Sequence, residues 1–170
     1  MTEQPGASLE ERIARLEAIQ EITAVVARYG PAVDSGSAQA TAQLWEESGT
    51  YSFGVAGAGF EHLVGRTGIE EMVNGPGHQE IISHGAAHLM GPPLVEVHGD
   101  TAVATGYSLL VRYDAASSRH YVDRACANRW QLRRTDGTWR VTARVNQLLD
   151  GRDEARLLLG LALAPPGPTG

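Results

Sequence analysis

Residues 101–149, TAVATGYSLLVRYDAASSRHYVDRACANRWQLRRTDGTWRVTARVNQLL, decide the fold, because they hold three long segments rich in β-branched and aromatic residues. We predict strands over residues 101–113, 119–134 and 139–149. The segments between them, Asp-Ala-Ala-Ser-Ser and Thr-Asp-Gly-Thr, are typical of turns. Three consecutive strands joined by tight turns predict an antiparallel meander.

Shorter strands are predicted upstream of the meander. They cover residues 50–54, 84–90 and 93–98. The run Gly-Pro-Pro separates the last two. A flexible loop of small residues is expected over residues 54–59.

Helical patterns fill the chain before these strands. Ser8 and Glu11 form a capping box, in which each side chain can satisfy the other residue's free backbone N–H. We therefore predict a helix that begins near Leu9, and apolar residues recur at helical spacing as far as Tyr29. Pro31 is expected to disturb the end of this helix, because proline has no N–H.

Two shorter helices are predicted after the first. One covers residues 37–45. The other begins at a second capping box, Thr67 and Glu70, and ends at the run Asn74-Gly75-Pro76. Because the helices come first and the meander afterwards, we predict an α+β fold with the helices packed on one face of the sheet.

The pattern divides the chain into one domain and its ends. Residues 9–150 form the domain, since one core is enough for a chain of 170 residues. Residues 1–8 and 165–170 are predicted to be disordered tails. Residues 151–164 are predicted to form a leucine-rich helix that serves as a lid over the pocket mouth or contacts a neighbouring subunit.

The composition excludes several classes of partner. The chain is 42% hydrophobic, which is too apolar for disorder, and its net charge of −6 comes without any run of Lys or Arg. A nucleic-acid partner is therefore not expected. We find no apolar run of about 20 residues and no signal-peptide pattern, which predicts a cytoplasmic protein without a membrane partner.

The usual metal and cofactor motifs are missing from the sequence. His84 and His88, as two positions of one strand, would lie about 13 Å apart and could not hold one metal ion. Cys126 has no Cys or His at zinc-ligand spacing and is predicted to be buried in a strand. Phosphate-binding loops and the serine-hydrolase elbow are also missing. We therefore expect no metal and no cofactor.

Alternation along the strands selects candidate pocket residues, because residues two apart share a face. One face of two neighbouring strands mixes polar with large apolar side chains: Arg124, Cys126, Asn128 and Trp130, then Thr142, Arg144 and Asn146. This mixture favours a polar-lined cavity, although Asn128 and Arg144 could equally face solvent. Tyr29, Asp34 and His88 are further candidates, for which a core position, a helix cap and a structural histidine are the alternatives.

Several candidates lie in runs that carry a resemblance to a known family. The runs are ARYGPAVDSG at residues 27–36, AHLMG at 87–91, LVEVHGDTA at 94–102, NRW at 128–130 and DGTWRV at 136–141. Together they resemble the SnoaL-like branch of the nuclear-transport-factor-2-like superfamily. The resemblance implies a cone-shaped α+β domain, in which a curved mixed or antiparallel sheet carries the N-terminal helices on its concave side and encloses a pocket.

Within this superfamily the pattern is similar to scytalone dehydratase, bile-acid 7α-dehydratase and hexachlorocyclohexane dehydrochlorinase, which are lyases that need no cofactor. The resemblance implies that Asp34 and His88 are a catalytic pair, with Tyr29 in the same site. It also implies that Asn128 and Arg144 bind the substrate. One departure concerns a further expected pocket residue: Ser108 stands where scytalone dehydratase has a second catalytic histidine, so that enzyme's own substrate is not expected.

The implied mechanism is a proton transfer. His88 would act as the general base while Asp34 stabilises its charged ring, and Tyr29 or Asn128 would donate to an oxygen on which negative charge develops. Arg144 would hold an anion or a leaving group. The pocket wall is expected to suit an apolar, ring-containing small molecule through its aromatic side chains: Tyr29, Tyr51 and Trp130.

The residues also leave alternatives for the geometry of the site and for the reaction. On a regular helix Tyr29 and Asp34 lie about 140° apart, so they can share a pocket only if the helix distorts or the pocket wraps its end. An isomerase or a polyketide cyclase would begin with the same proton removal, and a non-catalytic small-molecule-binding module is a third alternative. A homo-oligomer, either a trimer or a dimer, is expected because the leucine-rich end and the outer sheet face need covering.

Overall fold

Helices come before most strands in the computed structural model, which describes residues 6–55 and 59–163. The helices are α1 (Leu9–Asp34), α2 (Ala38–Ala42), α3 (Gly65–Asn74), α4 (Pro76–Ser83) and α5 (Asp153–Gly160), and a 3₁₀ turn follows at Leu161–Leu163. The strands are β1 (Trp45–Val55), β2 (Gly59–Val64), β3 (Ala86–Met90), β4 (Leu94–His98), β5 (Thr101–Asp114), β6 (Arg119–Thr135) and β7 (Thr138–Leu148).

One mixed, curved sheet organises the fold. Its strand order is β2-β1-β7-β6-β5-β3, and β4 pairs with the other end of β5. Strands β5, β6 and β7 pair antiparallel in sequence, which confirms the predicted meander. Strand β1 pairs with β7 in the parallel direction, because the chain crosses from α2 to the far side of the meander. The predicted α+β fold is therefore confirmed.

Helix α1 begins as predicted but ends later than Pro31 suggested. The Ser8 hydroxyl accepts from the Glu11 N–H at 3.2 Å, and the Ser8 N–H donates to the Glu11 carboxylate at 2.7 Å. The helix then runs through Pro31 to Asp34. Ser35 N–H donates to the Pro31 carbonyl at 3.1 Å, so the last turn keeps its hydrogen bonds although the proline contributes none.

The second predicted helix is shorter than expected, and the strand after it is longer. Helix α2 ends at Ala42, and Trp45 already pairs with Val141 as the first residue of β1. The predicted strand over residues 50–54 is the second half of β1. The predicted loop over 54–59 is partly wrong, because Gly59 begins β2; residues 56–58 lie outside the described chain.

The region between β2 and β3 differs most from the prediction. Helix α3 begins at Gly65 with Val64 at its N-cap and no side-chain cap hydrogen bond, so the predicted capping box of Thr67 and Glu70 is wrong. Pro76 does not only end α3, since it also opens α4, where a proline in the first turn loses no hydrogen bond.

This extra helix also corrects the prediction for His84. His84 is the C-cap of α4, and only His88 lies in a strand. The two histidines therefore do not share a strand face.

Helices α1 and α3 cover the concave face of the sheet, where the main core lies. Helix α1 contacts β3, β4 and β7, and α3 contacts β1. The fully buried core members are mostly large side chains from both layers: Ile22, Val33, Trp45, Ile69, Val73, Trp130, Leu132 and Val141.

Helix α5 packs on the opposite face of the sheet. Its Ala155 and Leu158 contact Ala127 and Val145, which alternate along their strands with residues that face the concave side. A lid over a concave pocket would not lie here. The other prediction for this segment, a contact with a neighbouring subunit, stays a prediction.

The chain ends fall largely outside the described residues. Residues 1–5 and 164–170 are not described, so the predicted disorder of the two tails lies outside the described part, apart from residues 6–8, where Ser8 caps α1. Among the helices that are described, none has both the length and the apolar character needed to cross a membrane.

Candidate active site

A cavity of about 520 Å³ lies between the concave face of the sheet and the helices. Its walls come from α1, α3 and α4 on one side and from the sheet on the other. The polar and ionisable side chains that line it are Tyr29, Tyr51, Glu61, Glu71, His78, His88, Ser108, Arg124, Cys126, Arg144 and Asn146. Apolar side chains fill most of the remaining wall: Phe53, Leu63, Met72, Ile81 and Met90.

Asp34 and His88 are in direct contact at the edge of this cavity. The Nδ1 of His88 lies 2.6 Å from Oδ1 of Asp34, and the backbone N–H of His88 donates to Oδ2 at 2.7 Å. A carboxylate only accepts hydrogen bonds, so the hydrogen between the two side chains belongs to Nδ1. Nε2 makes no hydrogen bond within the described residues, and it is the nitrogen left for a ligand.

The end of α1 positions this pair. Asp34 is the last residue of the helix, so its carboxylate can project past the helix end towards β3. Gly30, one turn earlier, lies so close to β3 that an added Cβ would overlap the carbonyl oxygen of His88. The peptide groups on both sides of His88 therefore contact α1, one through a hydrogen bond and the other through close packing.

Tyr29 contacts the same histidine from another direction. Its ring centroid lies 6.2 Å from that of His88 at an interplanar angle of 88°, an edge-to-face contact. Tyr29 and Asp34 project in different directions from α1, as helical geometry requires. They meet at one site because the His88 ring contacts both, Asp34 through Nδ1 and Tyr29 edge to face.

Arg144 brings a buried positive charge to the cavity wall. It is 2% exposed, and its guanidinium carbon lies 4.0 Å from the ring centroids of Tyr29 and Trp130 and 4.5 Å from that of Tyr51. Such cation–π contacts stabilise a guanidinium in a desolvated place. Within the described chain Arg144 forms no ion pair with a carboxylate, and its Nη1 is enclosed without a hydrogen-bond partner.

Asn128 links Arg144 to the rest of the sheet. Its Oδ1 accepts from Nε and Nη2 of Arg144 at 3.1 and 2.8 Å and from Nδ2 of Asn146 at 3.0 Å. Its own Nδ2 donates to the Ser108 hydroxyl at 2.8 Å. This network fixes Asn128 as an oriented dipole with its negative end on the guanidinium.

The predicted substrate-binding residues therefore fall into two layers. Tyr51, Ser108 and Arg144 line the cavity. Asn128 and Trp130 are buried behind this lining and hold Arg144 in place. The alternative that Asn128 and Arg144 face solvent is wrong, since both are buried.

The phenol of Tyr51 and the thiol of Cys126 in the cavity wall stay protonated. Burial raises the pKa of the Tyr51 phenol well above its usual value; the Arg144 charge acts in the opposite direction, and Tyr29 adds to the rise. Burial also raises the pKa of the Cys126 thiol, so this cysteine is not an activated nucleophile. The prediction that Cys126 is buried in a strand is confirmed.

His78 is a cavity residue that the sequence patterns did not single out. This histidine lines the cavity from α4, its Nε2 lies 2.8 Å from the Val33 carbonyl, and its ring centroid lies 5.7 Å from that of His88. The available signal was Pro76, because a proline followed by a helix-compatible segment indicates the start of a helix as well as the end of one.

Across residues 6–55 and 59–163, no three side chains of His, Cys, Asp or Glu lie together in a way that could hold a metal ion. The expectation of a site without metal or cofactor stays a prediction.

Comparison with known proteins identifies the family. The SnoaL-like domain family matches residues 14–145. An NTF2-like protein with a cystatin-like fold from Novosphingobium aromaticivorans is 39% identical to this chain, covers 91% of it and 98% of its own length, and superposes with a TM-score of 0.81. No curated protein matches the chain.

Two more distant structures share the fold. The Aln2 protein from a Streptomyces species is 24% identical over 79% of this chain and 92% of its own, with a TM-score of 0.67. A protein from Catenulispora acidiphila, solved in complex with S-DNPA, is 21% identical over 79% of this chain and 94% of its own, with a TM-score of 0.64. On the match over residues 14–145 and the shared cone-shaped architecture, this chain belongs to the SnoaL-like domain family within the NTF2-like proteins.

Proposed function

We propose that this protein is a cofactor-independent lyase of the dehydratase or dehydrohalogenase type, which removes a proton from a carbon of an apolar, ring-containing small molecule. The family match supports the coarser statement of a small-molecule-binding or catalytic domain. The observation that carries the finer proposal is the Asp34–His88 pair, in which the carboxylate holds Nδ1 and leaves Nε2 open at a cavity.

His88 has the geometry of a general base. When Nε2 takes a proton from a substrate carbon, the ring becomes positively charged, and the Asp34 carboxylate at 2.6 Å stabilises that charge. The two hydrogen bonds from His88 to Asp34 also fix the ring before the substrate arrives, so little reorganisation is needed during the reaction.

Negative charge that develops on the substrate has suitable partners in the same wall. Tyr51 is neutral and can donate a hydrogen bond, and Tyr29 lies beside His88. Arg144 adds a positive charge that has no carboxylate partner among the described residues, so its field favours an enolate or a departing anion. The tyrosine hydroxyls would donate hydrogen bonds to the negative charge on the substrate. Arg144, enclosed by aromatic rings, would stabilise that charge through its electrostatic field.

The cavity suits a substrate with a ring. About 520 Å³ is enough for a small ring system, and the aromatic and aliphatic wall favours an apolar one. An isomerase or polyketide cyclase could use the same first step. A non-catalytic binding module is a weaker alternative, because binding alone does not require a carboxylate-held imidazole with its other nitrogen open.

A generic probe can test the proposal without knowledge of the natural substrate. In nitrobenzisoxazole a base removes one ring C–H proton, the N–O bond breaks, and coloured cyanonitrophenolate forms. We expect the wild type to accelerate this reaction and His88→Ala to lower kcat/KM by about 10²- to 10⁴-fold.

His84→Ala is the matched control, since His84 is exposed at the end of α4 and outside the cavity wall. It should react like the wild type. A wild type no faster than His88→Ala would refute the proposed function.

A further inference from the structure

We propose that His78 is a second acid–base group of this pocket and gives a proton to the group that leaves the substrate. This inference rests on the proposed function and narrows it. A reaction with two imidazoles suits the elimination of a basic leaving group, such as a hydroxyl, in which a proton must be supplied as the bond breaks.

The two rings face one space from different elements. His78 lies on α4 and His88 on β3, both line the cavity, and their ring centroids are 5.7 Å apart with an interplanar angle of 33°. A small substrate in the cavity can therefore contact both rings at once.

In each ring, one nitrogen is hydrogen-bonded to the end of α1 and the other has no hydrogen-bond partner among the described residues. Nδ1 of His88 donates to Asp34. Nε2 of His78 lies 2.8 Å from the Val33 carbonyl, and because a carbonyl only accepts, this nitrogen carries a hydrogen. Nδ1 of His78 makes no hydrogen bond within the described residues, and it is not among their enclosed, unpartnered atoms.

The two anchors are neighbours in sequence. Val33 holds His78 and Asp34 holds His88, so one turn of helix sets the positions of both rings. The Val33 carbonyl also accepts from the Gly36 N–H at 3.1 Å, which ties it into the end of α1. The separation of the two imidazoles is therefore built into the helix end.

A purely structural role does not account for this arrangement. A link from α4 to the Val33 carbonyl needs only one donor, which an amide side chain could supply. His78 is only 9% exposed and lines the cavity, yet its Nδ1 makes no hydrogen bond within the described residues. Nδ1 is not enclosed by protein, so a ligand in the cavity can reach it.

One ring takes a proton from the substrate and the other gives one to it. His88 Nε2 takes the proton from carbon, the C–H electron pair becomes the new C=C bond, and the bond to the leaving oxygen breaks. The oxygen takes its electron pair and the Nδ1 proton of the His78 imidazolium, and water forms. His88 is then the charged ring, and transfer of its proton back to His78, through water in the cavity, restores the starting state.

Two related probes distinguish this role from simple positioning. Nitrobenzisoxazole releases a weakly basic phenolate, whereas unsubstituted benzisoxazole releases a more basic one that gains more from a proton donor. We expect His78→Gln to lower kcat/KM for benzisoxazole by about 100-fold and for nitrobenzisoxazole by less than about 5-fold. Glutamine is chosen because its amide can still donate to the Val33 carbonyl.

The outcomes separate the two proposals. If His78→Gln lost kcat/KM equally on both probes, or on neither, the proposed role of His78 would be wrong. A loss of kcat/KM in His88→Ala would still support the proposed function. His84→Gln, at the C-cap of the same helix but outside the cavity wall, should match the wild type. If the wild type and His88→Ala reacted alike, the proposed function and the role of His78 would both fail.

A measurement on the wild type avoids any failure of a variant to fold. Cyanophenol, the product of benzisoxazole, should change the imidazole nitrogen NMR signals of Nδ1 of His78 and Nε2 of His88, and leave those of His84 unchanged. A change at His88 without one at His78 would overturn the inference.

Discussion

At the scale of single residues, Arg144 combines burial, a fixed positive charge and three aromatic neighbours. A guanidinium does not lose its proton in proteins, so its charge persists in the low-dielectric wall. Asn128 accepts two of its hydrogen bonds and the rings cover its faces, but neither supplies a negative charge. The cavity is therefore biased towards a substrate that is, or becomes, negative at this wall.

Tyr51 provides a pH test at this scale. Because burial raises its pKa in the folded state, the unfolded chain loses the Tyr51 proton first as the pH rises past about 10. The free energy of unfolding should then fall by up to about 1.4 kcal/mol per pH unit from this group. Urea denaturation between about pH 8 and about pH 11 measures the slope.

Tyr51→Phe is the comparison for this slope. Phenylalanine has no phenol, so the difference in stability between wild type and variant should shift in favour of the variant as the pH rises above about 10. A difference that stays constant over that range would contradict the raised pKa.

At the scale of elements, the contact between α1 and β3 builds the site. Gly30 permits the close approach, Asp34 at the helix end holds His88, and Val33 holds His78 on α4. The sequence placed Pro31 as a disturbance here, but the helix continues, because close packing on β3 and the hydrogen bond from Ser35 to Pro31 support its last turn.

Gly30→Ala tests this contact. Its new methyl group would overlap the His88 carbonyl oxygen, a backbone atom that cannot swing away, so α1 and β3 must separate. We expect a loss of about 1–3 kcal/mol in the free energy of unfolding, and a lower kcat on nitrobenzisoxazole because His88 and Asp34 shift relative to each other. Denaturant unfolding and the probe assay measure the two effects.

Gly160→Ala is the matched control, since Gly160 ends α5 and a Cβ there meets nothing within 4 Å. It should be neutral or slightly stabilising. Equal stability of Gly30→Ala and the wild type would show that the helix and strand are not in close contact.

At the scale of the whole molecule, the sequence predicted what local patterns determine. The meander follows from alternation and turn residues, and the Asp34–His88 pair followed from a resemblance rather than from spacing. Three features needed the assembled fold: the parallel pairing of β1 with β7, the aromatic surroundings of Arg144, and His78 on α4. The first two, and the contact of His78 with Val33, depend on residues far apart in sequence. Helix α4 itself was missed because the helix breakers at residues 74–76 were interpreted only as the end of α3, although Pro76 also opens α4.

Association is the prediction at this scale. Exposed apolar side chains remain on α5 and the turn after it and on the sheet: Leu157, Leu161, Leu163, Leu89, Leu94 and Tyr107. A monomer would leave this apolar surface in water, so we expect a dimer or trimer that covers part of it. Light scattering should give a mass two or three times 18.1 kDa.

Leu157→Lys combined with Leu161→Lys should shift the mass towards the monomer, because both side chains are exposed on one chain copy. A single-chain mass of 18.1 kDa for the wild type at micromolar concentration would contradict the prediction.

The coupling between Asp34 and His88 tests the central claim most directly. The measurement is kcat/KM on nitrobenzisoxazole for the wild type, His88→Ala, Asp34→Asn and the double variant. If the pair acts as one unit, the double variant should be no slower than His88→Ala alone, itself about 10²- to 10⁴-fold slower than the wild type. Wild-type rates in both single variants, or losses that simply multiply in the double variant, would contradict a catalytic Asp34–His88 pair.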